Sequence, residues 1–230
     1  MGTFVKTKTT NMSLIIHHYL PFLLLFMLVL AVVKSFLGNV IVITGSPGSG
    51  KTSTLSVILE VADNLHLRTE LCAPTGRAAK RMRETTGKDA FTIHKLLEYG
   101  RSDDFLFGYN KKNKLDIDLL IVDEISMVDV IVMSSLLDAL PTNCRLVLVG
   151  DDNQLQSVSA GNVLFDIIEA GKITIVELVH IFRQNPDALL VDNAQKIKAG
   201  HVRNNINPLK KGISQFGRYP QTHLSQFLQC

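Results

Sequence analysis

Residues 39–54 read Asn-Val-Ile-Val-Ile-Thr-Gly-Ser-Pro-Gly-Ser-Gly-Lys-Thr-Ser-Thr. A β-branched apolar run leads into a glycine-rich turn, and a helical pattern follows. Gly45, Gly50, Lys51 and Thr52 satisfy the spacing G-x-x-x-x-G-K-S/T, and the strand in front and helix behind supply the context that spacing requires. Glycine has no Cβ, so the backbone can close around an anion. The N–H groups of the turn and of the first helical turn then face phosphate oxygens. Gly45, Ser46, Pro47, Gly48, Ser49, Gly50, Lys51, Thr52 and Ser53 are therefore the candidate ATP-binding residues. Lys51 can reach the β- and γ-phosphates, and the Thr52 hydroxyl can hold Mg²⁺.

A parallel sheet is the frame this loop implies. From Asn39 onward short β-branched runs alternate with helical patterns, the signature of an α/β fold with helices covering both faces of the sheet. Strands are expected at Val40–Thr44, Glu70–Ala73, Leu119–Val122, Arg145–Val149 and Ile173–Leu178, and helices at Thr52–Asn64, Arg77–Arg83, Thr92–Leu97, Met127–Leu140, Gly161–Ala170 and Asp187–Ala199. Ser102–Lys114 is polar and charged and reads as a surface excursion, and His201–Cys230 as loop or tail. The run Leu119–Val122 is apolar throughout, as a central strand buried on both faces must be. It delivers Asp123 and Glu124 at its carboxyl end, where open α/β sheets bind ligands. Asp123 suits Mg²⁺, and Glu124 suits orienting or deprotonating an attacking water. Gln154, in the loop after the next strand, and Arg183 can each contact a γ-phosphate or simply face solvent.

With 230 residues the chain has room for one large domain, or one domain and part of another. A net charge of +3 indicates no nucleic-acid partner by itself, so the clustering of charge has to be read locally. Arg77, Lys80 and Arg81 fall at i, i+3 and i+4, on one face of the helix after Pro74. That face suits nucleic-acid phosphates or plain solvation. Cys72, Cys144 and Cys230 are odd in number, widely spaced and in no C-x-x-C pair, which argues against a disulfide framework or a zinc site and fits a reducing compartment.

The first 38 residues are less easily read. Met12–Val33 contains no Asp, Glu, Lys or Arg. As a helix it is about 33 Å long, enough to span a bilayer. Lys6 and Lys8 precede it, so the positive-inside rule would carry the phosphate loop out of the cytoplasm, away from ATP. The segment reads as a helix packed on the sheet, an upstream extension, or a membrane anchor; the compartment is accordingly cytoplasmic, with membrane tethering through residues 12–33 as the alternative.

In this order the segments resemble the first motor domain of RecD-like DNA helicases of superfamily 1. Gly45–Thr52 resembles motif I, Ala73–Met82 motif Ia, and Glu84–Gly87 with Thr92–Glu98 the stretch after it. Ile121–Asp129 resembles motif II, Gly150–Leu164 motif III, Ile181–Gln184 motif IV, and Asn193–Gly200 the segment beyond. Pif1-like helicases share the Asp-Glu-Ile-Ser-Met and Phe-Arg-Gln patterns, but the Gly-Arg-Ala-Ala-Lys-Arg-Met and Thr-Ile-His stretches favour RecD. The resemblance implies a RecA-like P-loop NTPase with Lys51, Glu124, Gln154 and Arg183 catalytic, Gln154 sensing the γ-phosphate, and Arg183 reaching it from a second motor domain. It implies Mg²⁺ on Thr52 and Asp123. It places Pro74, Thr75, Arg77, Lys80, Arg81, Thr92 and His94 on segments that face single-stranded DNA, with 5′-to-3′ movement driven by ATP. The family's adenine-contacting glutamine is replaced by Leu28, and a motif III proline by Gln156. No stretch after Gly200 matches motifs V and VI. The expected organisation is an apolar segment at 1–38, the ATPase domain at 39–182, and the truncated start of a second motor domain at 183–230. A second chain carrying the remaining motor domain is an implied partner, and a nucleotide-dependent DNA-binding or assembly subunit is the alternative to a helicase.

Overall fold

The computed structural model describes residues 25–100, 106–151, 154, 157 and 159–178. Residues 25–37 are helical and form α1. They are followed by β1 (Val40–Gly45), α2 (Lys51–Asn64), β2 (Thr69–Ala73), α3 (Gly76–Thr86), β3 (Phe91–Thr92), α4 (Ile93–Leu96), β4 (Leu119–Val122), α5 (Val130–Ala139), β5 (Arg145–Gly150), α6 (Val163–Ala170) and β6 (Thr174–Leu178). The strands form one six-stranded sheet in the order β3-β2-β4-β5-β1-β6, and every pairing within it is parallel. The expected α/β architecture is thus present.

The sheet is apolar on both sides because both sides are covered. Along β4, Leu119 and Ile121 enter one core, shared with Ile58 and Leu59 of α2 and Met82 of α3. Leu120 and Val122 enter the other, shared with Met133 and Leu136 of α5 and Leu164 of α6. This follows from the two-residue side-chain period of a strand. The connections leaving the neighbouring strands β1 and β5 run through α2 and α6, on opposite faces of the sheet. That divergence opens a crevice at the carboxyl edge, the usual ligand position in such sheets.

Helix α1 occupies the α2 side. Ala31, Val32 and Ser35 are buried, and Met27, Leu28 and Phe36 lean on the same core. The described part of the apolar N-terminal segment, residues 25–37, is therefore a packed helix, and Leu28 serves the core where the resemblance would place a glutamine. Among the described residues no helix is long and apolar enough to cross a membrane. Residues 12–24, the boundary after 182, the helix expected at Asp187–Ala199 and the tail lie outside the described residues.

Three expectations need correction. The single helix expected over Met127–Leu140 is a 3₁₀ turn at Ile125–Met127, then α5 from Val130. Asp129 causes the restart: its carboxylate accepts the Val132 N–H at 2.8 Å, so the helix begins after it. The helix expected from Thr92 starts at Ile93, because Thr92 closes β3 and caps α4 by accepting the Lys95 N–H at 3.2 Å. The polar excursion contains a core residue: Phe107 is buried and pairs across an antiparallel bridge with Tyr99.

Candidate nucleotide site and strand-facing surface

The phosphate loop stands at the tip of β1. Gly45 has φ 157°, and a Cβ there would lie 2.4 Å from Ser49 Oγ and 2.7 Å from the Leu178 carbonyl oxygen. Nothing larger than glycine fits. Gly50, at φ 99°, precedes the first residue of α2. Lys51 folds back over the loop: its Nζ donates to the Gly45 carbonyl and, at 3.3 Å, to the Ser46 carbonyl. Ser49 Oγ is buried and has no hydrogen-bond partner among the described residues. A loop with a curled-back lysine, an orphaned hydroxyl and no space for a side chain is shaped to take an anion whose oxygens would replace those carbonyls. Thr52 and Ser53, the next residues, are exposed on the first turn of α2.

Parallel pairing of β4 with β5, and of β5 with β1, sets their carboxyl ends side by side. Asp123 and Glu124 follow β4, and Asp151 follows β5. Asp123 is anchored by its backbone N–H donating to the Cys72 carbonyl at 3.0 Å. Its carboxylate accepts the Glu124 N–H at 2.9 Å. Glu124 takes a left-handed backbone conformation, φ 54° and ψ 42°, uncommon outside glycine and enriched at functional sites. Burial pushes the Asp123 carboxyl above the usual carboxylate range, against the opposing effects of the Glu124 N–H and Lys51. Burial also raises Glu124, and the Asp123 charge adds to the effect. Lys51 is lowered by burial, while Asp151, Asp123 and Glu124 resist the change. Burial makes the ionised form of these carboxylates costly, and a divalent cation bound beside them would offset that cost. Oxygen donors at Thr52 and Asp123 suit Mg²⁺.

Asp151 was missed by sequence reasoning, which took only Gln154 from this loop. It is 2% exposed and acts electrostatically on both Lys51 and Glu124. The signal was available: like Asp123, it is an acid directly after an apolar strand. Gln154 is exposed, with its N–H donating to the Asp151 carbonyl at 3.1 Å. The loop is braced on the segment after Glu124. The Val130 N–H donates to the Ala160 carbonyl at 3.3 Å, and a Cβ on Gly161, at φ 98°, would lie 2.2 Å from Val130 Cγ2. Arg183 and Gln156 lie outside the described residues.

The sequence profile of a family described as AAA domain matches residues 30–160, more than half of the chain. The chain belongs to the AAA domain family. The "ATP-dependent RecD2 DNA helicase" of Deinococcus radiodurans is 43% identical over 164 residues, which is 71% of this chain and 22% of that protein. The "RecBCD enzyme subunit RecD" of Mycolicibacterium smegmatis is 38% identical over 174 residues, 64% of this chain and 31% of that one. The AAA domain chain thus spans less than a third of the length of these curated relatives, whose names are of the RecD type, as the motifs indicate. Among solved structures, Pif1 from Bacteroides sp in complex with ADP-AlF4 matches with TM-score 0.52 and 25% identity, over 77% of this chain and 46% of that one. The Pif1 helicase from Candida albicans matches with TM-score 0.56 at 24% identity, over 77% of this chain and 44% of that one.

The remaining candidate residues of this AAA domain lie farther along the same edge. Cys72 pairs with Phe91 and Ala73 with Thr92, so the turns after β2 and β3 emerge together. Pro74 and Thr75 occupy the first, Thr92 and His94 the second. Both threonine hydroxyls are engaged as helix caps, Thr75 accepting the Ala78 N–H at 3.2 Å. Arg77, Lys80 and Arg81 are exposed on α3, and Lys80 lies 3.8 Å from Glu84. His94 is exposed, its ring 5.4 Å from that of Tyr99.

Proposed function

We propose that this chain is the ATPase motor domain of a RecD-like 5′-to-3′ DNA helicase, binding ATP with Mg²⁺ and contacting single-stranded DNA. One observation carries the reading: Lys51, Asp123, Glu124 and Asp151 converge from three adjacent strands on one carboxyl edge. On this reading Lys51 leaves the loop carbonyls for the β- and γ-phosphates, and the glycine turn encloses them. Thr52 and Asp123 would hold Mg²⁺, which would supply positive charge to the phosphate oxygens. Glu124 accepts a proton from the attacking water, a task its raised proton affinity favours. Gln154 and Arg183 contact the γ-phosphate, Arg183 from the segment beyond residue 182. Pro74, Thr75, Arg77, Lys80, Arg81, Thr92 and His94 meet the DNA backbone, chiefly through the basic side chains of α3. The RecD-like sequence relationship and the fold shared with a Pif1 solved with ADP-AlF4 support this assignment.

The test is Mg²⁺-dependent ATPase activity of the full chain with and without single-stranded DNA. DNA is expected to stimulate turnover, and Glu124→Gln to reduce it by about 10²- to 10⁴-fold, the usual worth of a general base. Absence of Mg²⁺-dependent affinity for any nucleoside triphosphate would remove the reading. The names of several relatives identify them as a subunit of the RecBCD enzyme, which supports a second reading. In it the chain binds nucleotide and DNA but turns over only with a partner chain; turnover that stays flat with DNA until such a partner is added would favour it.

A further inference from the structure

Three rings meet beyond the end of β3. His94 and Tyr99 lie 5.4 Å apart at 64°, Tyr99 and Phe107 5.5 Å apart at 66°, and His94 and Phe107 5.8 Å apart at 55°. Each pair has the separation and tilt that aromatic rings favour. Phe107 is 3% exposed and forms the floor of the cluster. His94 is exposed, and Tyr99 keeps 58% of its surface in solvent.

The backbone fixes Tyr99 as firmly as its neighbours do. Glu98 before it and Gly100 after it are both left-handed, at φ 56° and φ 74°. That conformation is uncommon for a glutamate and recurs at functional sites. The Tyr99 N–H donates to the His94 carbonyl at 2.9 Å, the Gly100 N–H to the Leu106 carbonyl at 3.0 Å, and the Gly108 N–H to the Glu98 carbonyl at 3.1 Å. A lone exposed aromatic needs no explanation. Tyr99 differs because its backbone and two other rings hold it still while most of it stays bare. Such a ring can take a planar partner at little cost in side-chain freedom. His94 and Tyr99 are too close to sandwich that partner, which needs about 7 Å, so it lies on the outward surface of Tyr99.

The surroundings indicate which planar partner fits. Ala73 pairs with Thr92, so the segment carrying His94 and Tyr99 leaves the sheet beside the turn of Pro74 and Thr75, from which the basic helix α3 begins. Lys95, next to His94, is exposed and holds its Nζ 4.8 Å over the Phe91 ring. A flat apolar group flanked by anionic linkages, as a base is in a nucleic-acid strand, matches a bare ring among cations. We propose that Tyr99 stacks on a base of single-stranded DNA, with His94 and Phe107 holding its ring and the cations of Lys95 and α3 meeting the phosphates. This deepens the function proposed above and rests on it.

The experiment compares binding of the full chain to oligo-dT and to an abasic strand of the same length, which keeps the phosphates and lacks the bases. Wild type, Tyr99→Leu, Tyr99→Phe and Arg77→Met are measured against salt. Wild type should prefer oligo-dT. Tyr99→Leu should weaken oligo-dT by about 5- to 100-fold, the worth of one stacked base, and the abasic strand by about 2-fold or less. Tyr99→Phe keeps the ring and should stay within about 3-fold of wild type. The salt slope for oligo-dT should be unchanged in Tyr99→Leu and shallower by about 0.7 in Arg77→Met. Equal losses on both strands in Tyr99→Leu overturn the proposal, because a folding defect or a lost phosphate contact would produce them. A loss in Tyr99→Phe as large as in Tyr99→Leu overturns it as well. If wild type binds both strands equally, stacking falls while strand binding stands; if it binds neither, the DNA contact of the proposed function falls too.

Discussion

The two edges of one sheet are built on opposite principles. At the amino edge, Arg68 forks onto Asp118 through Nε at 2.8 Å and Nη2 at 2.7 Å, and also pairs with Asp116. The backbone closes the same ring: the Asp118 N–H donates to the Arg68 carbonyl at 2.8 Å, and the Arg145 N–H to the Asp118 carbonyl at 2.9 Å. Hydrogen bonds from Arg68 hold the Asp118 carboxyl well below the usual carboxylate range. At the carboxyl edge the corresponding groups are mismatched. Asp123 and Glu124 are raised, Lys51 is lowered, the buried Ser49 and Ser126 hydroxyls have no partner among the described residues, and Glu124 sits in a left-handed conformation. The strands between the edges are the same strands. One edge spends its polar groups on each other and fixes the register of β2, β4 and β5. The other leaves them unsatisfied, the pattern expected where a ligand completes the structure.

The strongest way to break this contrast is to fill the phosphate cradle. Gly45→Val places carbon within 2.4 Å of Ser49 Oγ and 2.7 Å of the Leu178 backbone oxygen. The latter belongs to a paired strand and cannot move aside cheaply. Nucleotide affinity should fall by more than about 100-fold, with a stability loss of about 1–3 kcal/mol from overpacking, read by titration calorimetry and thermal melting. Retained affinity would mean that the anion does not sit in this turn.

A smaller effect tests the charge mismatch. Asp123 has a raised folded-state pKa, so between the unfolded carboxylate value and that raised value the native state binds more protons than the unfolded state. Stability then falls as pH rises through this window and levels off above it. Asp123→Asn removes the buried charge. With EDTA and no nucleotide at neutral pH it should melt a few degrees higher than wild type, while losing Mg²⁺-dependent nucleotide affinity. A lower melting temperature would show that Asp123 holds the fold together instead of serving a ligand.

How far the sequence could be read differs between these edges in the same way. The phosphate loop and the acidic pair were legible because each rests on contiguous residues: glycines at fixed spacing, and acids after an apolar strand. The strands emerged because a buried parallel sheet leaves continuous apolar runs such as Leu119–Val122. Three features were not legible. The break between Ile125–Met127 and α5 turns on one capping bond from Asp129, although an Asp before Val130-Ile-Val was its available sign. Phe107 is a lone aromatic in a polar stretch, buried only because the chain folds back to meet Tyr99. The Arg68–Asp118 fork joins residues fifty positions apart, and no local pattern announces a pairing of that range.

The amino edge supplies the smallest and most discriminating effect, because its pH dependence has the opposite sign. Asp118 has a folded-state pKa lowered by Arg68, so its contribution is fully present above the unfolded carboxylate value of about 3.9 and is lost as pH falls below it. Arg68 and Asp116 are both largely exposed, so solvent screens the cluster and the contribution is modest. Asp118→Asn should lower the melting temperature by about 1–2 °C at neutral pH. The wild-type and variant melting curves should then converge as the pH drops under about 4. Nucleotide affinity should not change, since the fork lies at the far end of the strands from Lys51. If Asp118→Asn instead weakened nucleotide binding as Asp123→Asn does, the two edges would be energetically coupled through β4, and the division of labour between them would be wrong.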